Sequence, residues 1–202
     1  AQNVGSVDVI QFSDFENLAG AAGNDSFTFN AGGSLASAVD GGGGSNSLVL
    51  NTGDDDITLS ATSDTVGYSG EARDLNLGTL VTGFSNITSL DAGTGDNVLT
   101  GLDATANWTI AAAGIYSTGT SPNERTLNFA SIDTVAGGSG ADTFRFNEDL
   151  AIVADGLGGV DTIEVSNATV ELTAPITADG FSGDVGLASF DGINAVVGTS
   201  GT

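Results

Sequence analysis

The chain has 202 residues, with 26 acidic and three basic side chains, a formal net charge of −23, and no Cys, His or Met. Such a charge disfavours nucleic acids and anionic membranes as partners, since both are bound through clustered Lys and Arg. The missing side chains exclude disulfides, thiolate or imidazole metal sites, and histidine-assisted nucleophilic catalysis. The hydrophobic fraction of 40% argues against disorder, and because no apolar run approaches about 18 residues we expect no membrane insertion.

Short segments of alternating polarity follow one another along the chain. Each comes directly after a turn rich in Gly, Asp, Asn or Ser, and apolar or β-branched residues recur at every second position, which is typical of strands. The segments are DSFTF (25–29), NSLVL (46–50), DITLS (56–60), DTFRF (142–146) and DTIEV (161–165). The alternation predicts core positions at Phe27, Phe29, Leu48, Leu50, Phe144, Phe146, Ile163 and Val165.

These segments belong to internal repeats. Residues 12–29, 84–101 and 129–146 align without gaps, and a fourth copy over 190–202 stops before its acidic residue. We therefore divide the chain into repeat units of about 12–83, 84–128, 129–189 and a truncated 190–202. A second motif matches residues 39–50 to residues 154–165.

The spacing of the Gly-rich turns indicates the architecture. Gly20 and Gly41 are 21 residues apart, and Gly137 and Gly156 are 19 apart. Self-similarity at this period is typical of solenoids, in which each coil buries its apolar face against its neighbours. The sequence predicts one continuous all-β domain over 1–202, a parallel β-helix (β-solenoid) with coils about 20 residues long, right-handed by precedent.

The repeat unit, with its leading Phe, its Gly-rich turn and its acidic residue before a strand, resembles the β-solenoid repeats of giant bacterial surface and secreted proteins. These are the RTX-like and hemagglutinin-like adhesin repeats. The resemblance implies an extracellular or cell-surface stalk or filament segment. It also implies neighbouring copies or repeats as head-to-tail partners, with surface glycans as further candidate partners.

One copy, GGSGADTFRF (137–146), fits the calcium-binding nonapeptide G-G-x-G-x-D-x-U-x of RTX proteins. The resemblance implies calcium as the candidate cofactor, held by Asp25, Asp142 and Asp161. The same position is Asn in two further copies, Asn46 and Asn97, and no copy has a tandem neighbour. We therefore favour a second interpretation, in which Gly supplies a positive φ and Asp or Asn caps the turn without a metal.

The acidic run GDDDIT (53–58) is a second candidate cation site. Adjacent side chains of a strand point to opposite faces, so only Asp54 and Asp56 would converge on one ion. The alternative is a solvated turn, which we favour.

Parallel β-helices include polysaccharide lyases and glycoside hydrolases, so an enzyme has to be considered. Lyases of acidic sugars need a basic residue, and the chain has only Arg73, Arg125 and Arg145. Hydrolases need two carboxylates at a fixed separation, and no pair stands out. Trp108, Tyr68 and Tyr116 would form a sugar-stacking surface if exposed, although an alternating strand favours a buried Trp108.

We expect a non-catalytic structural and adhesive segment of a large exported bacterial surface or filament-forming protein. Two alternatives remain: a calcium-binding RTX-like module made rigid by cations, and a carbohydrate-binding or carbohydrate-active β-helix.

Overall fold

The protein is all-β. The structure is a computed structural model, and it describes residues 4–7, 10–13, 15–63, 66–120, 123–166, 168–177 and 180–199. These residues form strands, turns and bends, and none of the described segments is helical. The expectation of an all-β fold is thereby confirmed. The last three residues of the fourth repeat copy, 200–202, lie outside the described residues.

Two compact units divide the chain, Ala1–Asn97 and Val98–Thr202. The strands of unit 1 are β1 (Val4–Val7), β2 (Ile10–Ser13), β3 (Leu18–Ala19), β4 (Ser26–Asn30), β5 (Leu35–Asp40), β6 (Ser47–Asn51), β7 (Asp55–Thr62), β8 (Tyr68–Asp74), β9 (Gly78–Ile87) and β10 (Ser89–Asp91). The strands of unit 2 are β11 (Val98–Thr100), β12 (Ala106–Ile110), β13 (Ala113–Thr118), β14 (Arg125–Ala130), β15 (Thr134–Ala136), β16 (Thr143–Phe146), β17 (Val153–Asp155), β18 (Thr162–Val165), β19 (Val170–Thr177), β20 (Gly180–Val185), β21 (Ala188–Ile193) and β22 (Ala195–Gly198).

In unit 1 the chain alternates between two sets of parallel strands. Strands β3, β5 and β9 pair in parallel, and we call this set sheet 1A. Strands β4, β6 and β10 also pair in parallel and form sheet 1B. Strands β7 and β8 join sheet 1A as an antiparallel meander ending in β9. The first two strands form a separate antiparallel hairpin.

Unit 2 repeats this plan. Strands β11, β15, β17 and β21 pair in parallel as sheet 2A. Strands β12, β16, β18 and β22 pair in parallel as sheet 2B. Each sheet also carries one antiparallel meander, β12–β13–β14 in sheet 2B and β19–β20–β21 in sheet 2A.

The strand positions and the core follow the period-2 pattern. All five predicted strands are present, as β4, β6, β7, β16 and β18. Seven of the eight predicted core side chains are buried, and Phe27 is half-buried. Equivalent apolar residues of successive strands are register partners, so that Phe144 is paired with Trp108 on one side and with Ile163 on the other. Their stacking forms continuous apolar ladders.

The antiparallel meanders were not predicted. Where no meander intervenes, stacked residues are separated by 21 or 19 positions along the chain. Where a meander is inserted, the separation grows to between 33 and 46 positions. A meander strand has the same period-2 pattern as a parallel strand, so hydrophobic alternation alone does not distinguish the two.

The leading Phe of each repeat copy is explained by the meanders and the N-terminal hairpin. In each case this Phe lies in the last antiparallel strand, opposite a glycine of the strand before it. The pairs are Gly5–Phe12, Gly70–Phe84, Gly114–Phe129 and Gly183–Phe190. A methyl group placed on Gly70 or on Gly183 would lie 2.6 Å from the ring of its Phe. In these two pairs the ring therefore covers the glycine, as aromatic residues do when they fill the space beside a glycine in a sheet.

The repeat copies do not all occupy the same position in the fold. The turn Gly20–Asp25 leads from sheet 1A to sheet 1B, whereas the aligned turn Gly93–Asn97 comes after β10 of sheet 1B. The second turn stacks on the turn before β7, because the Asp55 N–H donates to Asn97 Oδ1 at 2.9 Å. A Gly-rich turn closed by Asp or Asn is thus used at both kinds of turn between the sheets.

Candidate functional site: the buried Asp/Asn turns

Five Gly-rich turns end on Asp or Asn immediately before a strand, and we call them Gly–Asx turns. They are Gly20–Asp25, Gly41–Asn46, Gly93–Asn97, Gly137–Asp142 and Gly156–Asp161. The Asx side chain is buried in four of them, and that of Asp25 is half-buried. These positions include three of the five predicted metal ligands.

In unit 2 the Asx side chains bridge successive turns. Asp142 Oδ1 accepts the Ala106 N–H at 2.9 Å, and Asp161 Oδ1 accepts the Asp142 N–H at 2.8 Å. Asn194 Oδ1 accepts the Asp161 N–H at 2.6 Å. Each side chain therefore satisfies a backbone donor of the preceding turn, which would otherwise be buried at a cost.

Unit 1 makes the same bridge with an amide. Asn46 Oδ1 accepts the Asp25 N–H at 3.0 Å. The other end of this amide, Nδ2, donates to the Asn86 carbonyl oxygen at 3.0 Å. Asn46 is completely buried, and both ends of its side chain are hydrogen-bonded.

Asp142 and Asp161 have only half of this bonding. Their Oδ2 atoms are buried and have no hydrogen-bond partner among the described residues. Burial, reinforced by the neighbouring Asp161 carboxylate, raises the pKa of Asp142 to about 7. Burial also raises the pKa of Asp161, to which the Asp155 carboxylate contributes.

In the acidic run at 53–58, Asp54 and Asp56 bond to separate groups. Asp54 Oδ1 accepts the Asp96 N–H at 3.0 Å and Asp54 Oδ2 accepts from Asn76 Nδ2 at 3.1 Å, and these bonds lower the pKa of Asp54. Asp56 is paired with the Arg73 guanidinium at 2.7 Å. Asp54 and Asp56 thus bond to different partners.

The middle residue of that run, Asp55, is fully buried. Thr52 Oγ1 donates to its carboxylate at 2.8 Å, and burial raises the pKa of Asp55 to about 6. A solvated turn would leave this side chain exposed, so that interpretation is wrong for Asp55. The sequence analysis did not single out Asp55, Asn86 or Asn194. Asp55 could have been found as the second Asp of the Gly53-Asp54-Asp55 turn, and Asn194 as the Asn that ends FDGIN (190–194). No sequence signal marks Asn86.

Among the described residues, the structure does not gather the side chains predicted to hold calcium into a group of three. Calcium takes six to eight oxygen ligands from a set that converges on one point. Across the part of the chain that the structure describes, no three His, Cys, Asp or Glu side chains are grouped so that they could hold a metal ion. Asp142 and Asp161 direct one carboxylate oxygen each to a backbone N–H of the preceding turn. Asp25 directs Oδ2 to the Ala21 N–H at 3.0 Å.

The aromatic residues considered for sugar stacking are all buried. Trp108, Tyr68 and Tyr116 have no exposed surface. Trp108 stacks on Phe144 with ring centroids 5.8 Å apart and contacts Tyr116 at 4.4 Å. These three rings therefore offer no face to a glycan. An open groove of about 380 Å³ lies over the meander of unit 1, lined by Thr58, Ser60, Gly70, Glu71, Thr82, Gly83 and Phe84.

Comparisons with protein-family models, with curated proteins and with solved structures found no match. A search of the described residues found no helix with the length and apolar character needed to cross a membrane.

Proposed function

We propose that this chain is a non-catalytic structural and adhesive segment of a large exported bacterial surface or filament-forming protein, built as a β-solenoid. The observation that carries the proposal is the stacking of successive strands at separations of 19 or 21 residues, with equivalent side chains in register. Stacking of this kind is how repeat proteins gain stability, since each repeat buries its apolar face against the next.

The use of the polar side chains supports the same proposal. Asn46, Asp142 and Asp161 are buried and bond to backbone groups of neighbouring turns. Two of the three basic residues form outward ion pairs, Arg73 with Asp56 and Arg145 with Glu164. The carboxylate, amide and guanidinium groups of these turns and pairs bond to other parts of the same chain. Such bonds stabilise the fold, which is the role expected of polar side chains in a structural segment.

The charge supports a role at an exterior surface. A net charge of −23 on 202 residues keeps such a segment soluble and prevents close association of like-charged faces. Association between copies is then directed to the ends of the sheets, where edge strands present unpaired backbone groups. Head-to-tail contact between neighbouring copies or repeats fits this arrangement, and glycans remain candidate ligands of the surface.

Small-angle scattering of the purified chain, followed by electron microscopy, tests the proposal. A globular chain of 202 residues has a radius of gyration of about 17 Å. We expect a value that rises with protein concentration as copies associate end to end, and rods or filaments in the images. A radius that stays near the globular value at every concentration, or turnover of any substrate in a polysaccharide panel, would contradict the proposal.

A further inference from the structure

Two of the Gly–Asx turns contain buried carboxyl oxygen atoms, Asp142 Oδ2 and Asp161 Oδ2. In four turns the first glycine packs directly against the Asx side chain and against a carbonyl of the next stacked turn. In the turn that begins at Gly20, the Asx oxygen atom, Asp25 Oδ2, already accepts the Ala21 N–H, and the other three turns differ in this respect. A methyl group on Gly41 would lie 2.6 Å from Asn46 Nδ2 and 2.5 Å from the Asn86 carbonyl oxygen. Those two atoms are joined by the hydrogen bond of 3.0 Å described above.

The same geometry recurs twice in unit 2, with an oxygen in place of the amide nitrogen. A methyl group on Gly137 would lie 2.5 Å from Asp142 Oδ2 and 2.8 Å from the Gly156 carbonyl oxygen. One on Gly156 would lie 2.7 Å from Asp161 Oδ2 and 2.5 Å from the Gly192 carbonyl oxygen. Each Oδ2 thus takes the place of an amide nitrogen that donates to a carbonyl.

An ionised carboxylate cannot fill that place, because it only accepts hydrogen bonds and a carbonyl oxygen is also an acceptor. A protonated carboxyl group can, since its O–H donates as the Asn N–H does. Burial of a neutral acid also avoids the cost of burying two charges in neighbouring turns. We propose that Asp142 and Asp161 are neutral carboxylic acids whose O–H groups donate hydrogen bonds to the Gly156 and Gly192 carbonyl oxygens. The stability of unit 2 then depends on pH.

The charged groups around this pair do not favour ionisation. Asp103 accepts the Ser139 N–H, Asp155 accepts the Leu157 N–H, and Asp191 accepts the Gly192 N–H. All three are acidic. Arg145 is on the outward face of β16, where it pairs with Glu164. The shifts in pKa described for Asp142 and Asp161 have the same direction.

The direction of the pH dependence follows from the raised pKa. A group whose pKa is raised on folding stabilises the folded state below its unfolded pKa, near 3.8, and this contribution is lost as pH rises through the folded value, about 7 for Asp142. Unit 2 is therefore most stable in mild acid and weakens toward neutral and alkaline pH.

The test compares melting temperatures from pH 4 to pH 8, each measured with EDTA and with added calcium. The variants are D142N/D161N, the reverse change N46D in unit 1, and D25N as a control at a half-buried Asx position. We expect the wild-type melting temperature to fall with pH, D142N/D161N to lose at least half of that fall, N46D to steepen it, and D25N to leave it unchanged. Calcium is expected to leave the melting temperature of the wild type unchanged.

A wild-type slope retained in D142N/D161N would overturn the proposal. So would a calcium-induced rise in the wild-type melting temperature that this variant lacks, because it would make the two residues metal ligands. If the variant does not fold, carbon NMR of the Asp carboxyl groups, with Asp142 and Asp161 in place, decides. The spectra are recorded in the D55N background, because the pKa of Asp55 is also raised, to about 6. Two further carboxyls still protonated at pH 6 support the proposal, and titration of all of them below pH 5 contradicts it.

Discussion

Replacement of Phe144 by Ala tests the apolar ladder of unit 2 at its centre. The ring is fully buried, is the register partner of Trp108 and of Ile163, and stacks on the indole with an interplanar angle of 13°. Deleting a buried Phe side chain costs about 3–5 kcal/mol, which includes the cavity it leaves. Because Phe144 also loses an aromatic partner, we expect F144A in the upper half of that range, a large fraction of the about 5–15 kcal/mol that stabilises a typical domain.

The matched control is the next residue of the same strand. Arg145 points outward and forms an exposed ion pair with Glu164, so R145A should change the free energy of unfolding by less than about 1 kcal/mol. Urea unfolding followed by far-ultraviolet circular dichroism measures both variants under one set of conditions. Equal losses for F144A and R145A, or a loss below about 1 kcal/mol for F144A, would refute the alternation of inward and outward side chains in β16.

Three further changes test other parts of the structure. G114A places a methyl group against the Phe129 ring and should lower the free energy of unfolding in urea by about 1–3 kcal/mol. The control G23A, with no heavy atom within 4 Å of the added carbon, should change it by less than about 0.5 kcal/mol. Equal effects of the two changes would contradict the Gly–Phe pairing. D55N removes a carboxyl group whose pKa is raised by burial to about 6. The free energy of unfolding of D55N should therefore exceed that of the wild type by little near pH 4 and by more as pH rises through 6. Urea titrations in which this difference shrinks with pH would contradict the expected sign. Trp108, the only Trp of the chain and fully buried, should give blue-shifted fluorescence that acrylamide quenches weakly until the chain unfolds, and strong quenching of the native protein would contradict its burial.

Much of the fold could be predicted because a strand with one buried face repeats every two residues. Phe144, Phe146, Ile163 and Val165 are buried for this reason. The turn-capping interpretation of the Asp/Asn position likewise rests on local chemistry that the sequence displays. Asn46 makes the expected bonds to backbone groups, although with neighbouring turns as well as its own.

The rest depends on pairing between distant residues. The meanders have the same alternation as the parallel strands, and the glycine opposite each leading Phe is visible only once the register is known. The separation along the chain is 14 residues for Gly70–Phe84 and seven for Gly183–Phe190, so no fixed spacing marks the pair. Asp55 lies between two exposed-looking acidic residues, and its burial comes from the strand alternation combined with the stacked turn of Asn97.

The central claim is that strands about 20 residues apart stack in parallel and in register. Since the chain has no Cys, paired cysteines can be introduced without competition from native thiols. Thr143 and Thr162 are register partners in the parallel pair of β16 and β18, within the Cα separation that a disulfide requires. The account predicts rapid disulfide formation in T143C/T162C on mild oxidation and little in T143C/E164C, the pair that antiparallel strands would bring together. Preferential cross-linking of T143C/E164C would contradict it.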